Sequence, residues 1–128
     1  MNRPGMRGAL AEKMGIELLT ASADEVSARM PVEGNTQPYG ILHGGATVVL
    51  AETVGSFAAA IHAGSDFIAM GVEVGATHHR AVREGYVTAT ARPLHLGRQM
   101  ASYVIDVVDD AGKRTATCRL TCLLRPVS

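Results

Sequence analysis

Tryptophan is absent from this chain, and two phenylalanines and three tyrosines bring the aromatic share to only 4%. So few rings offer no stacking signature from which an aromatic ligand could be read. Nor does charge of one sign prevail: Lys plus Arg and Asp plus Glu number 12 each. A balanced chain has no global field to attract nucleic acid or an anionic membrane, so any anion site must be local. Met1 to Leu10 carries arginines but no apolar run of signal-peptide length, and no secretory address is expected from it. The most apolar segment, Ala46 to Ile61, is shorter than a membrane span and contains an acid and a glycine, so a buried helix is the better reading. Cysteine is limited to Cys118 and Cys122. Four apart in a strand they would stand roughly 13 Å from each other, beyond disulfide reach. Two reduced thiols suit the cytoplasm. No internal repeat, linker or low-complexity tract interrupts the chain.

What is present bounds the architecture. With 128 residues, 47% of them hydrophobic, residues 1–128 are expected to form one domain with a real core. A short helix is expected over Met6 to Met14, ended by Gly15. Strands follow at Ile16–Leu19 and Glu25–Pro31, joined as a hairpin by the small polar link Thr20–Asp24. From Phe67 the period is two, with Ile68, Met70, Val72, Val74 and Ala76 on one tightly packed face. Glu84-Gly85 makes a turn, and Tyr86 to Leu94 alternates again, with Pro93 marking a bulge or an edge. Gln99–Val108 and Arg114–Leu124 complete the set across the hairpin turn Asp109-Asp110-Ala111-Gly112. Two strands, one long helix and four strands in a meander are predicted. An antiparallel sheet curled round the helix is the economical α+β solution, because one helix cannot cover a flat six-stranded face.

The chemistry concentrates between Asn35 and His62. Turn residues run to Gly40, His43-Gly44-Gly45 leads into a helix of about Gly45 to His62, and Glu52 is the single ionisable residue between His43 and His62. A carboxylate buried there without partners would cost several kcal/mol, so it needs a reason. At 100° per residue Leu50, Val54, Phe57 and Ile61 share one face. Glu52 falls opposite, with Gly45, Gly55, Ser56 and Ala59, on a side small enough to let another backbone or a ligand come close.

The run Gln37-Pro-Tyr-Gly-Ile-Leu-His-Gly-Gly-Ala46, followed by Leu50-Ala-Glu-Thr-Val-Gly-Ser56, resembles the hotdog-fold acyl-CoA thioesterases. It is similar to the branch holding the Arthrobacter-type 4-hydroxybenzoyl-CoA, enterobactin-pathway proofreading and dihydroxynaphthoyl-CoA thioesterases. Ala76-Thr-His-His-Arg-Ala-Val-Arg-Glu-Gly85 and Pro93-Leu-His-Leu-Gly97 extend the resemblance to nearly the whole chain. It implies a sheet wrapped round the central helix, and protomers paired through a continuous sheet into a homodimer or a dimer-of-dimers tetramer, with sites at the dimer interface. It further implies that the Gly44 amide polarises the thioester carbonyl while Glu52 acts as nucleophile or general base. Gln37 and His43 would help position the thioester, and Ser56, one turn past Glu52, would orient water.

Thioester hydrolysis fits these residue types on physical grounds as well. A free N–H at a helix start suits developing negative charge, because the helix dipole favours it. Coenzyme A brings phosphates that call for local cations, for which Arg80, Arg83 and Arg98 are candidates, with Gly97 allowing close backbone approach. The resemblance also matches His78 to a histidine found near the bound thioester in close relatives. Each has a plainer reading: a paired structural acid, a helix cap, a packing serine, surface charges. Adjacent His78 and His79 point to opposite faces of a strand, and no metal is expected. No cofactor is implied beyond the coenzyme A of the substrate. A non-catalytic acyl-CoA binding module and a thioesterase for carrier-protein-bound acyl groups are the rival readings.

Overall fold

A computed structural model describes residues 8–128. It contains α1 (Gly8–Lys13), β1 (Glu17–Ala21), β2 (Val26–Pro31), α2 (Gly44–Ala63), β3 (Phe67–His78), β4 (Tyr86–Leu96), β5 (Met100–Asp109) and β6 (Arg114–Pro126). The first residues of the helix expected from Met6 lie outside the described residues. Its end is as expected: Gly15 takes φ 76, and a Cβ there would stand 2.9 Å from Pro31 Cγ.

All six strands form one antiparallel sheet in the order β1-β2-β4-β5-β6-β3. The inward positions of β2, β4, β5 and β6, from Val26 to Cys122, are buried against Leu50, Val54 and Phe57 of α2, so one core lies between helix and sheet. The β5–β6 turn forms as the sequence predicts. Asp109 Oδ1 accepts the Ala111 and Lys113 N–H groups, and Gly112 adopts φ 81. At Pro93 the register with β5 slips before His95, the expected bulge. Cys118 and Cys122 are both free and buried.

Three expectations need correction. The last four strands are not a simple meander, because β3 pairs with β6 and leaves β4 to pair with β2. Residues 79–85 carry the chain across the start of α2. There Val82 is buried and its carbonyl accepts the Leu42 N–H at 2.7 Å, closing that end of the wrapped sheet. Next, β3 has no tightly packed face. A bulge between Gly71 and Glu73 breaks the alternation, so Ala69 and Val74 turn to the core while Ile68, Met70 and Val72 stay about half exposed.

The third correction concerns the back of α2. Gly55 and Ala59 are buried by this chain's own sheet, and a Cβ on Gly55 would come 2.5 Å from Leu120 Cδ2. The sheet curls far enough to cover the helix on more than one side, and the small residues admit it. The helix is long and apolar enough to cross a membrane by length and composition, and half of its apolar window is buried within the fold. It is the core helix of a globular domain.

Candidate functional site

The start of α2 sets the first part of the site. His43 is the N-cap, with β-region φ −68 and ψ 128, and its Nδ1 accepts the Gly45 N–H at 2.8 Å. That bond leaves the proton on Nε2 in the neutral ring, so the exposed edge of His43 is a donor. The His43 carbonyl accepts from Ala46 and Thr47. The Gly44 N–H donates to no described residue and remains one of the unsatisfied amides of a helix start. His78, the last residue of β3, lies over Gly44: a Cβ there would stand 3.0 Å from His78 Nε2. The bare Gly44 lets the His78 ring come close, and a Cβ there would ask the far end of that side chain to give by a few tenths of an ångström.

Gln37 belongs to the loop before the helix, which a bridge between Thr36 and Leu42 closes. Its backbone N–H donates to Ile41 and its side-chain oxygen accepts the Tyr39 N–H. Gln37, Gly44, Thr47, His78 and Arg80 line one cleft of about 350 Å³. The structure thus gathers Gln37, His43, Gly44, His78 and Arg80 at one end of the helix.

Glu52 lies elsewhere. Eight residues of α-helix put it about 12 Å along the axis from Gly44, and it lines neither cleft. The half-buried carboxylate makes no ion pair with any described residue. It rests on β3 at the bulge, where a Cβ on Gly71 would meet Oε2 at 2.8 Å. Ser56, one turn on, faces the Cys122 thiol. Burial raises the pKa of that thiol, hydrogen bonding toward Ser56 lowers it and the nearby Glu52 charge raises it. Neither Gly71 nor Cys122 was singled out from the sequence. A glycine interrupting a strand was the available signal for the first.

Gly97 and Arg98 sit at the opposite end of α2, in a cleft of about 1030 Å³ that also includes His62, His95, Phe67 and Met100. His62 Nε2 is 2.7 Å from the Gly97 carbonyl oxygen. Arg83 is exposed and lines neither cleft. Within one subunit, therefore, the arginine candidates do not converge.

A six-stranded antiparallel sheet wrapped round one long helix is the hotdog fold of the thioesterases. The model of the thioesterase superfamily matches residues 39–116. The chain is 44% identical over 115 residues to the proofreading thioesterase EntH of Cronobacter turicensis, covering 89% of this chain and 84% of that one. Among solved structures, a thioesterase from Haemophilus influenzae superposes with a TM-score of 0.90 at 36% identity, covering 94% of this chain and 85% of the other. A glutamine-to-alanine variant of a thioesterase from Pseudomonas aeruginosa gives 0.92 at 37%, covering 97% and 91%. The chain belongs to the thioesterase superfamily, and it is a thioester hydrolase.

Proposed function

We propose that the chain hydrolyses acyl-CoA thioesters with an aromatic or otherwise compact acyl group, in sites each built from two copies of the chain. The observation that carries this reading is the spacing of Gly44 and Glu52. A carbonyl carbon and its oxygen are about 1.2 Å apart, whereas the amide and the acid of one helix are separated by about 12 Å. One subunit cannot supply both to the same carbonyl. Glu52 rests on β3, an edge strand with no strand neighbour on its outer side among the described residues and with exposed Phe67, Ile68, Met70 and Val72. Such an edge is a template for strand addition, and a second β3 is the self-complementary occupant.

In the paired state the thioester oxygen accepts the Gly44 N–H of the partner subunit. The dipole at that helix start stabilises the oxyanion. Glu52 attacks the carbonyl carbon or takes a proton from an attacking water; the same carboxylate serves both routes. Ser56 orients the water, while Gln37, His78 and the Nε2–H of His43 hold the thioester and steady the leaving thiolate. Coenzyme A phosphates meet Arg98 at the Gly97 turn or Arg80 at the smaller cleft. Two reduced buried thiols accord with a cytoplasmic enzyme.

Subunit mixing tests the shared site. Glu52→Gln removes the acid. Gly44→Pro removes the amide donor, and proline is suited to the first helical position and to the extended backbone of His43 before it. Each variant alone is expected to lose thiol release from benzoyl-CoA while staying assembled. After joint refolding, activity should return to about a quarter of the wild-type value, because half of randomly paired dimers would hold one intact site of two. No recovery would show that sites are not shared. A panel of acyl-CoA and carrier-protein thioesters, read with a thiol-detecting dye, identifies the acyl group and the carrier.

A further inference from the structure

Tyr103 is the largest fully buried side chain, and among the described residues its hydroxyl is the side-chain polar atom buried without a hydrogen-bond partner. An unsatisfied buried hydroxyl destabilises the fold, and phenylalanine would fill nearly the same space without it. The hydroxyl is not isolated from the site. Tyr103 pairs with Leu120, and Cys122 lies two residues further along the same inward face of β6, a diagonal neighbour within reach of a long side chain. Cys122 in turn pairs with Gly71, the glycine on which the Glu52 carboxylate rests. Burial lifts the Tyr103 phenol from 10.0 to about 12 and the Cys122 thiol adds to the rise, while Ser56 faces that thiol from α2. Tyr103, Cys122, Ser56 and Glu52 thus form a polar line from the sheet to the acid through an otherwise apolar core.

We infer that Tyr103 is a positioning residue for Glu52: its hydroxyl, the Cys122 sulfur and the Ser56 hydroxyl hold one internal water that fixes the Ser56 rotamer beside the carboxylate. An internal water requires two to four polar partners, and these three groups supply them. The phenol donates to the water, the water donates to Ser56 Oγ, and Ser56 is left with one orientation. Tyr103 touches no reacting atom. Its effect on turnover rests on the catalytic role proposed for Glu52; the water itself does not.

Tyr103→Phe in the full-length protein tests the inference. With benzoyl-CoA, kcat should fall about three- to tenfold at unchanged KM, the loss expected from one hydrogen bond, and Tm should fall. An unchanged kcat, or a Tm that rises as it would on deleting an idle polar atom, overturns the inference. Crystal structures provide a readout independent of turnover. Solvent density within hydrogen-bond distance of Tyr103 Oη in the wild type, lost in Tyr103→Phe, supports the niche, and its absence from the wild type refutes it. A wild type with that water but no thioesterase activity would refute the role of Glu52, and with it the positioning role, while leaving the water established.

Discussion

The carboxylate of Glu52 lies against the backbone of Gly71, close enough that a methyl group on the glycine would stand 2.8 Å from Oε2. The atom that would have to give way is the far end of a flexible side chain. Gly71→Ala should therefore fold, with stability altered by no more than about 1 kcal/mol, while the carboxylate is pushed from its place. A misplacement of about 1 Å can cost a hundredfold in rate. The expected outcome is a fall in kcat of about 10- to 100-fold with Tm nearly unmoved, read by thiol release and thermal melting. Full activity would mean that the resting place of the acid does not matter.

The exposed apolar side chains of β3 make assembly testable apart from chemistry. Met70→Lys places a charge on a surface that pairing would bury, where an unpaired charge costs several kcal/mol. The variant should elute as a monomer, keep its far-UV circular dichroism, and lose thioesterase activity. A fully active monomer would contradict a site divided between two copies.

Alkaline pH reads the core. Burial, with Asp106 nearby, raises the Cys118 thiol from 9.0 to about 11. Above pH 9 the unfolded chain loses this proton while the folded chain keeps it. The unfolded state then binds fewer protons, and stability falls as pH rises. The contribution is whole below pH 9 and is lost on the way to pH 11, at up to about 1.4 kcal/mol per pH unit. Urea unfolding across this range should show a shallower slope for Cys118→Ala than for the wild type. Equal slopes would place the thiol outside the linkage.

Local signals were legible and distant ones were not. The β5–β6 turn could be read because Asp109 and Gly112 satisfy their own backbone within four residues. The long helix and its stop at Gly64, φ 79, were equally plain. The place of β3 was not, since alternation tells which residues share a face and says nothing about which strand lies beside them. The bulge at Gly71 then moved Ile68, Met70 and Val72 to the outside. In the site, the cap at His43 and the free amide of Gly44 followed from helix-end chemistry, whereas Cys122 approaches Glu52 from a strand far along the chain. The separation of Gly44 from Glu52 was already implicit in helix geometry, and the fold explains its consequence by leaving β3 open beside the acid.

The hydrogen bond from Leu42 to Val82 ties the segment bearing Gln37 to the segment bearing Arg80, and Asn35 fastens the first of these again through His43. The entrance beside Gly44 is consequently a braced frame rather than a hinged flap. On the proposed function, choice among acyl groups at such a doorway would rest on the fit of standing walls, and changes of preference should arise from the side chains that line it rather than from the swing of a loop.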